Sequence, residues 1–275
     1  MNDPAAVELK YVDDLSIAAK VSLDFDIVSD TSRERPLTFD KRQELKVADS
    51  ANTLQFMLDD LLEFSNQRQM KINTKKTCVM KICKSRTIVF PTELKVGEHF
   101  LEVKTEMKIL GVLIQPNLKW AKNCASICKK AYKSMWAIRR MKVLGMDTFT
   151  ILDYYMKEVR VHLELAVPVW HSRLTHKQTA DIERVQRVAV GILTGGVPYA
   201  QACATLGLKP LHVRRLELCN RFAVSTASEE SRHADLFKLK KNPRGDAKYK
   251  EHTCHKSRFY KSPLPYLTRI LNDSE

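Results

Sequence analysis

Two adjacent carboxylates, Asp13 and Asp14, stand inside the stretch Leu9-Lys10-Tyr11-Val12-Asp13-Asp14-Leu15-Ser16-Ile17-Ala18. An aromatic and β-branched approach and an apolar exit predict a strand, a tight turn and a returning strand, with the acids at the tip. Paired carboxylates fixed at one point suit divalent-metal chemistry on phosphates. Mg²⁺ and Mn²⁺ are hard cations that take one or two carboxylates together with phosphate oxygens. An acidic turn in isolation is common, so the assignment depends on the rest of the chain.

The bulk numbers point to an anionic partner. The 275 residues carry a net charge of +14 at an ordinary charged fraction of 28%, and the pI is near 9.4. Nucleic acid is favoured over a membrane surface, because no basic amphipathic segment shows an aromatic face suited to lipid. No apolar run approaches the ~20 residues of a membrane span, and Met1-Asn2-Asp3-Pro4 lacks the order of a signal peptide. A location inside the cell, in cytoplasm or nucleus, is therefore expected. The seven cysteines include no Cys-x-x-Cys pair, so reduced thiols are expected. Neither His252, Cys254 and His255 nor Cys124 and Cys128 makes a four-ligand set at zinc spacing.

The elements that must position the acids follow in order. After the hairpin over 5–22 comes a mixed-charge run over 24–49, read as an exposed insertion. Ser50 looks like an N-cap for a helix over 50–68, with Leu54, Leu58, Leu61 and Ser65 at helical spacing and Met57 and Leu62 widening the apolar stripe. Asn73 begins a turn and 78–82 alternates as a strand. Short strands are expected at 87–90, 94–96, 100–103 and 108–114, with Gly111 marking a bulge or a close backbone approach. From Trp120 onward the pattern is helical. Ile127, Ala131, Trp136, Ile138 and Met141 give one helix an apolar side, while Lys129, Lys130, Lys133, Arg139 and Arg140 load its other faces with charge. Further helices are expected over 148–165, from a cap at Thr175 to Gly195-Gly196, over 199–206 and over 213–226. The fold class is α+β, with a β-containing region 1–118, a helical region 119–228 and a basic tail 229–275 in which Tyr249, Phe259 and Tyr260 are interleaved.

This order of motifs resembles the reverse transcriptases of non-LTR retrotransposons, of the jockey-like and related LINE type. Tyr11-Val12-Asp13-Asp14 is similar to that family's catalytic hairpin. Gln69-Met70-Lys71-Ile72-Asn73-Thr74-Lys75-Lys76-Thr77 resembles the next palm motif, an Asn followed three residues later by Lys. Lys108-Ile109-Leu110-Gly111-Val112-Leu113-Ile114 with Leu118-Lys119-Trp120 resembles the primer-grip strand pair. Pro168-Val169-Trp170-His171 and Ile182-Glu183-Arg184-Val185-Gln186-Arg187 are similar to segments of the thumb and the region after it.

The resemblance implies an RNA-directed DNA polymerase, in which two Mg²⁺ or Mn²⁺ ions clamp the attacking and leaving oxygens. It makes Asp13 a metal ligand with Asp14 in support, and Lys76 the cation that meets the departing pyrophosphate. Leu110 and Gly111 would lie at the primer end, and the helix carrying Lys129, Lys130, Lys133, Arg139 and Arg140 would track the duplex backbone without reading sequence. The implied partners are an RNA template, a DNA primer and dNTP. In the family a further carboxylate strand precedes the hairpin by many tens of residues, whereas ten residues precede Tyr11 here. The expectation is a truncated palm followed by a thumb and a C-terminal helical bundle, inactive alone. The alternative is a non-catalytic nucleic-acid-binding remnant that uses the basic helix and tail.

Overall fold

The computed structural model describes residues 6–11, 14–19, 39–82, 93–239, 248–254 and 256–273. Its elements, a majority of helix with a few short strands, fall into two units. One comprises 1–107 and 115–118, the other 108–114 and 119–275.

In the first unit, β1 (Ala6–Tyr11) and β2 (Asp14–Ala19) pair antiparallel from Ala6↔Ala19 to Tyr11↔Asp14. Helix α1 (Phe39–Gln67) lies against β2. It starts well before the expected cap at Ser50, so 39–49 is helix and the expected 24–49 insertion is cut short; 20–38 lies outside the described residues. The sequence there, Lys41-Arg42-Gln43-Glu44-Leu45-Lys46, consists of good helix formers, which a Ser inside the run does not interrupt. The helix ends on Gln69, in the left-handed region at φ 56°, with Met70 N donating back to Ser65 O at 2.9 Å. That is a Schellman closure made without glycine.

Leu54, Leu58 and Leu62 of α1 cover a small core of Leu94, Val96 and Leu101. Leu62, expected to widen the apolar stripe, completes its i, i+4 spacing with Leu54 and Leu58. Among the described residues this unit also holds four two-residue strands: β3 (Cys78–Val79), β4 (Lys95–Val96), β5 (His99–Phe100) and β6 (Glu102–Val103). β3 pairs parallel with β6 and β4 antiparallel with β5. The Gln55 amide donates to Lys95 O and accepts from Lys95 N, both at 3.0 Å, and so supplies β4 with the contacts a neighbouring strand would make. The expected strand over 78–82 shrinks to β3, and 87–90 lies outside the described residues.

The second unit begins with a hairpin, β7 (Met107–Ile109) and β8 (Val112–Ile114). There follow α2 (Ala121–Val143), α3 (Thr148–Tyr154) running through a π turn (Tyr155–Val159) into α4 (Arg160–Glu164), and α5 (Val167–Trp170). Then come α6 (His176–Thr194), α7 (Tyr199–Thr205), α8 (Leu211–Ala227), α9 (Ser257–Tyr260) and α10 (Pro263–Asp273). Thr175 and Gln178 form a reciprocal capping box at the start of α6, and Gly195 ends it at φ 69°. Ile182, Val185, Ala189 and Leu193 of α6 are buried, as their helical spacing requires. They share one core with Ile127, Ala131, Met135 and Ile138 of α2 and with Leu267 and Leu271 of α10. The expected basic tail over 229–275 therefore closes on a core helix, and α10 packs against α8. No single helix among the described residues is long and apolar enough to cross a membrane.

Polar side chains are built into this core. Gln186, fully buried, accepts from Tyr155 Oη at 2.7 Å and donates to Tyr199 Oη at 2.8 Å and to Lys209 O at 3.0 Å. Trp170, also fully buried, donates from Nε1 to Leu165 O at 2.9 Å. Arg215 is enclosed completely, and its Nε donates to His171 Nδ1 at 3.4 Å. Burial, with the Arg215 guanidinium and His212 beside it, pushes His171 down to about 4. In the unfolded chain the imidazole titrates near 6.5. Between those values the unfolded state binds a proton that the native state does not, so stability falls as the pH is lowered. The expected loss from pH 6.5 to pH 4 is about 1–3 kcal/mol from this residue. Urea melts across that range should show a visibly flatter dependence in His171→Asn; identical slopes in the two proteins would exclude a buried neutral imidazole.

Candidate nucleic-acid interface

Helix α2 contains Lys122, Lys129, Lys130, Lys133, Arg139, Arg140 and Lys142 and no Asp or Glu. Its position is set from the other side. Asn123 is buried and its Oδ1 accepts from Leu113 N at 3.0 Å, which ties the first turn of α2 to β8. Ile127, Ala131, Met135 and Ile138 recur at i, i+4, i+8 and i+11 and pass into the core, the isoleucines and the methionine each worth about 1.5–3 kcal/mol when fully buried and the alanine less. Near the other end, Lys142 Nζ donates to Leu193 O at 3.1 Å, joining α2 to the end of α6.

With that register fixed, Lys129, Lys133, Arg139 and Arg140 are exposed and Lys130 is half-buried. None of these five pairs with a carboxylate among the described residues. Trp136 was expected on the apolar side, but it is 65% exposed. The step from Ala131 to Trp136 is five residues, which turns the indole away from the stripe that Met135 continues. Lys129, Lys133, Trp136 and Arg140 are spaced 4, 3 and 4 apart, so they form one line along the solvent face.

Beside that line lies a cleft of about 410 Å³ between α2 and the first turns of α6, lined by Cys124, Cys128, Tyr132, Lys177, Asp181 and Arg184 among others. Burial pushes the Cys124 thiol up to about 12 and the Cys128 thiol to about 11. Both are therefore protonated at neutral pH and poor nucleophiles. Arg184 lies 3.9 Å from Asp181 in an exposed pair, an interaction of little net energy.

The other residues named from the sequence lie elsewhere. Asp13 lies outside the described residues. Asp14 opens β2 as the partner of Tyr11, the last residue of β1. Lys76 sits exposed on a turn in which its N–H is donated to Asn73 O at 3.0 Å and Asn73 Oδ1 at 3.2 Å. The three-residue Asn-to-Lys spacing is thus the span of a hydrogen-bonded β-turn reinforced by the Asn73 side chain. Leu110 and Gly111, expected within one strand over 108–114, are instead the two-residue turn between β7 and β8. Their φ values are 46° and 88°, the positive pair that a type I′ hairpin demands. A Cβ on Gly111 would come within 2.8 Å of Leu165 Cδ2. The Pro168–His171 and Ile182–Arg187 motifs are scaffolding for the most part. Trp170, Ile182, Val185 and Gln186 are buried, Glu183 Oε1 accepts from Leu211 N at 3.1 Å, and Arg187 lies 5.2 Å over the Tyr199 ring. Among the described residues, no group of three or more His, Cys, Asp or Glu is placed to hold a metal ion.

Comparison with protein-family models, with curated proteins and with solved structures gives no match to this chain.

The hairpin turn makes a direct test of this geometry. Leu110→Asn is expected to stabilise the chain by about 0.5–1 kcal/mol, because Asn tolerates positive φ and Leu does not. Gly111→Ala should cost about 1–2 kcal/mol from backbone strain and contact with Leu165. Denaturant midpoints measured at constant m-value check both signs; a stabilised Gly111→Ala protein would rule out the turn.

Proposed function

We propose that this chain comprises the carboxylate hairpin of a reverse-transcriptase palm of the non-LTR type, followed by a thumb that holds duplex nucleic acid on α2. The observation that carries the binding half is the composition of α2 combined with its register: seven cations, no acid, and an apolar side wholly committed to the core. A field of one sign on a rigid helix attracts phosphates independently of sequence and gives binding that weakens steeply with salt. Supporting the polymerase half are the Tyr11↔Asp14 pairing of β1 with β2, the Asn73 turn that carries Lys76, and the tight hairpin at Leu110-Gly111. If an ion binds there, Asp13 and Asp14 would hold Mg²⁺ or Mn²⁺, which would supply Lewis-acid stabilisation of the transferring phosphate.

Two-metal transfer calls for a further carboxylate from a strand beside the hairpin, and among the described residues β1 and β2 pair only with each other. The 275-residue chain alone is therefore expected to bind an RNA–DNA duplex and to leave a primer on a homopolymer template unextended with either ion. Incorporation that Asp13→Ala abolishes would refute the second expectation. For the first, the triple substitution Lys129→Glu, Lys133→Glu and Arg140→Glu should weaken duplex binding by at least about 10-fold near 0.1 M salt and flatten the slope of log K against log salt by about 3. Unchanged affinity and slope would remove α2 as the interface.

A further inference from the structure

We infer that the α2 face also takes a single strand, with Tyr132 and Trp136 stacking unpaired bases and the strand continuing into the cleft toward Lys177 and Arg184. The inference rests on the nucleic-acid reading of α2 and adds to it a substrate form, unpaired nucleic acid, that phosphate contacts alone do not select. Trp136 is 65% exposed and Tyr132 38% exposed. They stand at i and i+4, so their Cβ atoms are about 6 Å apart on one side of the helix, a spacing that an extended strand covers with one nucleotide. Cations alternate with the rings. Lys129 and Lys133 flank Tyr132, while Lys133, Arg139 and Arg140 flank Trp136.

A duplex turns its bases inward and offers this face phosphates, for which an exposed indole is of no use; a single strand offers π-faces as well. A protein partner would be met by a broad apolar patch, whereas here the two neighbouring rings are bordered by Lys129, Lys133, Arg139 and Arg140. The cleft of about 410 Å³ opens beside Tyr132 and carries Lys177 and Arg184 on its α6 wall. Asp181, the acid among its lining residues, lies 3.9 Å from Arg184. The combination of rings, cations and an open groove is the pattern of a sequence-tolerant single-strand path.

The chain reports on this site directly. Of its three tryptophans, Trp120 is 6% exposed and Trp170 is fully buried, so quenching on addition of nucleic acid reads Trp136. Oligo(dT) of about 20 nucleotides is expected to quench the fluorescence, and a duplex of the same length to bind with little quenching. Trp136→Ala should weaken oligo(dT) binding about 10-fold and duplex binding less than about two-fold, with Tyr132→Ala acting in the same direction. Trp136→Phe should keep the affinity and lose the signal. Circular dichroism and melting checks that these exposed sites leave the fold intact. Equal losses for both forms, no loss for oligo(dT), or quenching by anionic vesicles in place of oligo(dT) would each overturn the inference. The triple Glu variant separates the two levels. If it weakens both forms while Trp136→Ala weakens neither, base stacking fails and the phosphate interface stands; if it weakens neither, both fail.

Discussion

A helix with seven positive charges and no carboxylate is held in place by what its other side buries. Ile127, Ala131, Met135 and Ile138 leave water against the core that α6 and α10 also feed, and together their burial outweighs the repulsion among lysines screened by solvent. The register of that stripe decides everything on the far side. A shift of one residue would turn each cation by about 100° and replace the basic line with a mixture of ring, methyl and charge. Asn123 at one end and Lys142 at the other prevent such a shift, because each meets a backbone group fixed by a different element, Leu113 N on β8 and Leu193 O on α6.

The interior beneath α2 is not uniformly apolar, and its polar members divide into two kinds. Gln186 has its amide satisfied three times, and Tyr199 extends the chain by donating to Glu183, which in turn caps the start of α8 through Leu211 N. A network of that kind fixes one arrangement of the π turn, α6, α7 and α8, because its bonds are lost if any of them slides. Arg215 is the other kind. It is enclosed with neither Nη atom hydrogen-bonded among the described residues, and burial pushes it below its ordinary range. Such a group costs stability. Its Nε donates to His171 Nδ1, on an imidazole that burial, with the Arg215 charge beside it, keeps neutral, so the pair is self-consistent only while His171 stays unprotonated.

Periodicity made much of the helical unit legible. The cap at Thr175, the buried face of α6 and the stop at Gly195 follow from local chemistry that tertiary contacts do not override. The misreadings have local causes as well. Trp136 is aromatic, which favours the interior, but its position next to Met135 on the helix turns it to solvent. Ser50 looked like a start because Ser favours N-caps, yet the residues before it are equally helical. The turn at Leu110-Gly111 was hidden because the first position of a type I′ turn calls for Asn, Asp or Gly, and Leu gives no such signal. Sequence says nothing of the cleft beside Tyr132, since Lys177 and Arg184 reach it from a helix some fifty residues away. Nor does it pair Arg215 with His171.

The motifs that carry the family resemblance and the residues that carry the charge are therefore different sets with different physical duties. Where the structure describes the motifs, they act mainly as joints. Asn73 and Lys76 close a turn, Leu110 and Gly111 close a hairpin, and Trp170 and Gln186 lock a core. Joints need particular residue types, because a left-handed φ, a turn acceptor or a three-way amide tolerates few replacements. The basic face needs only charge at the right register, so Lys or Arg at any of several positions would serve, and no motif marks it. That division explains why the motifs bear on the fold, while the exposed charge along α2 has to be read from the structure. The exposed rings at 132 and 136 belong to neither set, since they close no joint and carry no charge.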